Sequence, residues 1–420
     1  MIFHDTLSNG VRVVSESMEH FRSVSLGVWV DAGSVCEDEK ESGVSHFIEH
    51  MLFKGTEKRS AADIASEMDA VGGNLNAFTA KECTCFYAKV LDEHIGLAAD
   101  MLSDILLRSK LSPEDIEREK GVVVEEINMT QDTPEDVAHE TLCTLLYEGT
   151  PLEKPILGTQ ETVRSFTRDA LAGYMDRLYR ANDIVIACAG SFEREKLLST
   201  LNESFAGIKP GGGREKKAGA YGAGRRVRLV DKDVEQTHLC FSLPGLAAND
   251  ERRYAMLVLN NALGGSMSSR LFQKVREEKG LAYTIYSYPT SYADTGYFAL
   301  YAGAGRDKAA EVARLVLDEL ALIRKEGFSK SEFRRAKDQL RGNYLLGQEN
   351  TGSRSSAIGK AKLLLGEVMS EEELLARLEA VSEQNVAAIV SVMLDEQKLC
   401  ASVVGKLGPE MKQIESMVKG

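Results

Sequence analysis

The 420 residues are 43% hydrophobic and 27% charged, proportions that suit a folded protein and exclude a disordered or membrane-embedded chain. A formal net charge of −13 argues against nucleic acid and anionic membranes as partners, since both need positive surface to displace counterions. Length favours two domains of roughly 200 residues.

No stretch approaches the roughly 20 uninterrupted apolar residues of a membrane span, and the opening "MIFHDTLSNGVRVVSE" lacks the order of a signal peptide. A cytoplasmic location is therefore expected. The seven scattered cysteines then read as reduced, packed thiols rather than a disulfide framework. Alternation in "ECTCFYAKV" puts Cys83 and Cys85 on one face of a strand.

In chain order, strand-like runs "VRVVSE", "SVSLGVWVDAG", "CTCFYAKV" and "DIVIACAG" are interspersed with helical patterns at 44–54, 60–71, 93–109, 113–130 and 135–147. Residues 207–226 are rich in glycine and charge, and the expected boundaries are a first domain over 1–209, a linker over 210–224 and a second domain over 225–420. "GAYGAG" in that segment matches no phosphate-loop spacing. Beyond it the pattern repeats: "VRLVDK", "QTHLCFSLPG", a helix from about 250, "GYFALYAGAG", then helices over 307–326 and from about 329.

The halves overlay. "HFIEHMLFKGT" falls on "MLVLNNALGGS", and "LSPEDIEREK" on "FSKSEFRRAK", so the expected fold is a duplicated α+β domain. The overlay places Met256, Leu259 and Asn260 opposite His46, Glu49 and His50, and Asn343 opposite Glu126. Only the first half can carry a metal site.

On a helix, positions i, i+3 and i+4 fall within a sector about 100° wide, so His46, Glu49 and His50 share one face. Two imidazoles one turn apart can bind one ion, though the motif alone also fits an amphipathic segment whose histidines bond in the core. A catalytic zinc takes three protein ligands and leaves a fourth position for water. In "SPEDIEREKGVVVEEINMT", Glu119, Val122, Val123 and Glu126 lie on one face together with core residues, and Glu125 lies about 100° off it. A carboxylate there must be paired or metal-bound. Glu126 is therefore chosen as third ligand, with Glu119 one step behind it, and Glu49 between the histidines is placed to act as general base.

H-x-x-E-H is the inverzincin order, and its surroundings here resemble the pitrilysin and insulysin superfamily, most of all the mitochondrial processing peptidase β-subunit and its bacterial relatives. The likeness runs through "TLSNGVRVV", "GVSHFIEHMLFKGT", "GGNLNAFT", "IEREKGVVVEEI" and "LGGSMSSRLFQKVREEKGLAYTIYS". It implies two duplicated domains, each a largely antiparallel sheet with packed helices, forming one half of a clamshell. It also implies one Zn2+ per chain on His46, His50 and Glu126, with Glu119 supporting the site.

By the same resemblance, Asn76-Ala77-Phe78-Thr79 is an edge strand to which an extended substrate adds. Arg276 and Tyr283 would bind the substrate carbonyl and stabilise the oxyanion. Family members of twice the length take these two residues from a far bowl, so a homodimer supplying Arg276 and Tyr283 in trans is expected. The implied activity is zinc-dependent cleavage of short or unfolded polypeptides. The alternatives are a non-catalytic, partner-activating subunit of a processing-peptidase-like complex, or a zinc hydrolase acting on another carbonyl. Manganese or cobalt would also suit the ligand set.

Overall fold

The structure, a computed structural model, describes residues 1–213, 219–222 and 224–420. Two compact units emerge, one of Met1–Ile127, Lys154–Lys216 and Leu346–Val368, the other of Asn128–Glu153, Lys217–Leu345 and Met369–Gly420. They interleave along the chain, unlike the contiguous 1–209 and 225–420 of the sequence reading. The linker read at 210–224 lies partly outside the described residues.

The first unit holds a six-stranded sheet of β1 (Ile2–Thr6), β2 (Arg12–Ser17), β3 (Ser23–Val30), β4 (Asn74–Thr79), β5 (Thr84–Leu91) and β6 (Ile184–Gly190), ordered β1-β2-β6-β3-β5-β4. Only β2 and β6 run parallel. The second unit holds β7 (Arg226–Asp231), β8 (Gln236–Pro244), β9 (Ala282–Ser291), β10 (Gly296–Gly305) and β11 (Cys400–Gly405), ordered β7-β11-β8-β10-β9, with only β7 and β11 parallel. Leaving out β1, the two orders correspond strand for strand. The fold is a duplicated, largely antiparallel α+β domain.

Alternation along β3 explains why each sheet must be covered twice. Val24, Leu26, Val28 and Val30 enter the main core, with α1 (Val44–Leu52), α2 (Ala61–Ala70), α3 (Ile95–Arg108) and α4 (Pro113–Asp132) contributing to it. Trp29 points the other way, into a cluster with Val14, Cys83, Cys85, Val185, Ala187, Ile358 and Leu363. That second face is covered by the helix Thr351–Leu364, drawn from late in the chain, which packs on β2, β3 and β6. A Cβ at Gly359 would stand 2.2 Å from the Trp29 indole nitrogen, so only glycine allows this approach. In the second unit α5 (Pro134–Leu146), drawn from early in the chain, covers β7, β8 and β11. This exchange of covering helices is why the units are not contiguous.

The five helices expected in the first half match α1 to α5 within about three residues. Cys83 and Cys85 share a face as expected, and no disulfide links any of the seven cysteines. Among the described residues no helix is long and apolar enough to cross a membrane.

Candidate metal centre

Helix α1 buries Val44, Phe47, Ile48, Met51 and Leu52, which leaves His46, Glu49 and His50 on the sector turned away from the core. Helix α4 begins at a reciprocal cap, Ser112 accepting the Asp115 N–H at 3.2 Å while its hydroxyl donates to the Asp115 carboxylate at 2.6 Å. Its buried residues are Ile116, Glu119, Val123, Val124 and Ile127. Val122, expected with the core, is 44% exposed, and the Glu126 side chain is 37% exposed. The buried stripe therefore carries Glu119, while Glu126 stands at its border. Glu126 thus lies about one helical position outside the buried face on which the spacing places it.

Glu126 nonetheless meets the histidines. His46 Nε2 and His50 Nε2 are 3.3 Å apart, and Glu126 Oε2 lies 3.6 Å from the first and 3.4 Å from the second. Zinc bonds of about 2.05 Å in tetrahedral directions put neighbouring donor atoms about 3.35 Å apart. The three edges fit that figure, so these residues can hold zinc. Among the described residues no other group of three or more His, Cys, Asp or Glu side chains gathers in this way.

A supporting contact fixes which ring nitrogen of His50 faces the centre. His50 Nδ1 bonds Glu119 Oε1 at 2.8 Å, and Lys54 Nζ pairs with Glu119 Oε2 at 2.7 Å. Glu119 is only 2% exposed, so its charge is paired on both oxygens, as burial demands. Such a carboxylate holds the imidazole's orientation and raises its basicity. Glu49 lies outside the triad, and its Oε2 accepts the Thr79 hydroxyl from β4 at 2.5 Å.

These surroundings divide the titrating groups. Burial, with help from His50, pulls His46 down to about 4, which keeps its ring neutral. His50 is raised: burial opposes the cation, but the Glu119 hydrogen bond and the charges of Glu126, Glu119 and Glu49 outweigh it. Burial raises Glu49, opposed in part by the Thr79 bond and by His50. Glu119 is lowered despite burial, through His50 and Lys54.

Among the described residues strand β4 pairs with β5 alone, so it stands at the edge of the sheet. Its side chains alternate, with Asn74, Asn76 and Phe78 exposed and Leu75, Ala77 and Thr79 half-buried. Asn76 Oδ1 accepts the Ala77 N–H at 2.8 Å, and the 38%-exposed Phe78 ring meets Trp29 edge-on, centroids 5.5 Å apart. Arg276 and Tyr283 belong to the second unit. There the Arg276 guanidinium lies between two rings, 4.7 Å from Phe272 and 4.6 Å from Tyr283, in a π-helical stretch Phe272–Glu278. Tyr283 is 76% exposed.

Two contributors escaped the sequence reading. Lys54 follows the motif by four residues, and a buried Glu119 in need of a cation is the signal that points to it. Thr79 closes the strand already singled out, and period-two alternation turns it toward the same side as Ala77.

The profile of the insulinase family, peptidase family M16, matches residues 12–160, and that of the peptidase M16 inactive domain matches residues 165–340. An uncharacterized zinc protease of Streptomyces coelicolor is 42% identical over 411 residues, covering 96% of this chain and 89% of that protein. An uncharacterized zinc protease of Bacillus subtilis is 41% identical over 408 residues, covering 96% and 98%. A solved peptidase M16 inactive domain from Pseudomonas fluorescens has a TM-score of 0.91 at 20% identity, covering 97% of this chain and 98% of that one.

Proposed function

Because the chain belongs to the insulinase family of peptidases, family M16, whose similar members are named zinc proteases, we propose that it is a zinc endopeptidase cleaving short or unfolded polypeptides. The reading is carried by three donor atoms spaced 3.3 to 3.6 Å apart with a carboxylate beside them that is not one of the three.

His46 Nε2, His50 Nε2 and Glu126 Oε2 would hold the ion. When bound, zinc supplies a Lewis acid and lowers the pKa of a water nucleophile to about 7. Glu49 takes the proton from the attacking water and passes it to the leaving amine. Its raised pKa suits both halves of that task, and the Thr79 hydroxyl holds one of its oxygens. The substrate extends β4 through main-chain hydrogen bonds, aligned by Asn76, Ala77 and Phe78. Arg276 and Tyr283 bind the substrate carbonyl and stabilise its negative charge, and in this reading they come from a second copy of the chain. The complete set of His46, Glu49, His50, Glu119 and Glu126 favours an enzyme over a non-catalytic subunit.

Glu49→Gln tests the chemistry: zinc content by metal analysis stays at the parent value, while peptide hydrolysis followed by mass spectrometry falls roughly 10²- to 10⁴-fold. Undiminished hydrolysis would refute the general-base role. Mixing inactive His46→Ala with inactive Arg276→Ala chains tests the second copy. Activity returns if the clamp acts in trans, and its absence despite demonstrated heterodimers rules that out.

A further inference from the structure

We propose that Glu37 is a positioning residue of the metal centre: it sets the rotational phase of α1 and thereby the point where His46 and His50 meet. The inference rests on reading the centre as a zinc site. Glu37 is 2% exposed and lies nine residues before the first ligand. Its two carboxylate oxygens accept the N–H groups of Gly43 at 2.8 Å and Ser45 at 2.9 Å, two donors at the start of α1 that the helix itself cannot satisfy.

A single side-chain oxygen at the cap position, from serine or asparagine, would satisfy such donors at little cost. Here that position is Gly43, with φ +91° and no side-chain cap of its own. The protein instead buries a carboxyl group, which burial pushes up to about 7 against the pull of the two N–H donors. What two oxygens on two donors add is orientation. Core packing of Val44, Phe47 and Ile48 sets the azimuth coarsely, and two bonds to two donors narrow it at the first turn more than one bond would.

The same turn is clamped elsewhere. The Ser45 hydroxyl bonds the Tyr174 hydroxyl at 2.7 Å. A Cβ on Gly43 would lie 2.6 Å from the Leu157 carbonyl oxygen, so α1 begins in direct contact with backbone. The Lys154 ammonium holds the Glu37 carbonyl, which anchors the capping residue itself. Imidazole nitrogens stand about 6 to 7 Å from a helix axis, so a turn of about 10° moves them about 1 Å. Metal sites tolerate only about 0.5 Å of such error. His46 follows Ser45 directly, and its ligating nitrogen inherits whatever azimuth that turn is given.

The test uses the full chain with Glu37→Gln, Glu37→Asp and, as a control for lost core bonding away from α1, Ser355→Ala, which removes a buried hydrogen bond to the Ala187 carbonyl. Zinc affinity is measured by competition with a chromophoric chelator, and unfolding of the metal-free proteins is measured alongside. Both Glu37 variants should lose about 10- to 100-fold in affinity, because glutamine presents an amide N–H to one donor and aspartate falls short by a methylene. Ser355→Ala should keep near-parent affinity whatever stability it loses. Parent-like affinity in both Glu37 variants, or an equal loss in Ser355→Ala, overturns the proposal. A parent chain that binds no zinc takes down the metal reading first, and this inference with it.

Discussion

Helix α1 and the helix Arg253–Leu263 pack in corresponding places, the first against β4 and β5, the second against β9. One exposes His46, Glu49 and His50 toward a carboxylate. In the other, Met256 and Leu259 are buried and the Asn260 carbonyl oxygen of the side chain accepts the Ser287 hydroxyl at 2.8 Å. The same helix therefore folds equally well with apolar side chains, so the polar triad is not needed for the fold. What distinguishes the first unit is the set of contacts around these side chains: Glu119 bonds His50, Lys54 pairs with Glu119 and Thr79 bonds Glu49, whereas the counterparts of His46 and Glu49 are the core residues Met256 and Leu259.

The contrast breaks most sharply at the third ligand. Glu126→Gln should lower zinc affinity by roughly 10²- to 10³-fold, since zinc binding of about 10 to 16 kcal/mol is shared among a few ligands, whereas Asn343→Ala, at the exposed counterpart, should leave zinc binding unchanged. Chelator competition on both variants measures this, and equal effects would dissolve the distinction. A smaller loss, about 10- to 100-fold in affinity, is expected for Glu119→Gln by the same titration, with the histidines and Glu126 intact.

The smallest effect concerns a half-buried carboxylate of the second unit. Glu332 takes two hydrogen bonds from Arg270, at 2.5 and 2.9 Å, and Arg270 draws its carboxyl down from 4.5 to about 2. A depressed carboxylate stabilises the fold above its unfolded pKa, and that contribution is lost as pH falls through its folded value. Arg270→Met should therefore cost about 1 to 3 kcal/mol at pH 7, and urea unfolding should show the gap to the parent narrowing as pH falls below 4.5.

Much of this was legible beforehand. The apolar spacing of Val44, Phe47, Ile48, Met51 and Leu52 marks α1, and the H-x-x-E-H order on that helix names two candidate ligands and a candidate base. The third candidate ligand follows from its face on α4, yet spacing makes that face about one position too wide, because periodicity does not say where a buried stripe ends: Val122 and Glu126 stand outside it. The contacts of Thr79, Lys54 and Glu37 are a different matter: alternation turns Thr79 inward and a buried Glu119 calls for a cation, but which group each side chain meets through space no local pattern encodes. The exchange of covering helices was hidden likewise, since residues 351–364, TGSRSSAIGKAKLL, carry few large apolar side chains and nothing in their spacing says against which sheet they pack.

That exchange bears on how the chain is made. All three proposed ligands have been synthesised by residue 126, but the face of the first sheet that holds Trp29, Cys83 and Cys85 waits for Ile358 and Leu363. A fragment ending at residue 209 would present that apolar face to water and tend to associate through it. A cut between residues 210 and 224 in the finished protein has the opposite outcome. Each piece would still hold a helix belonging to the other piece's sheet, so the two should remain interlocked after the peptide bond is gone.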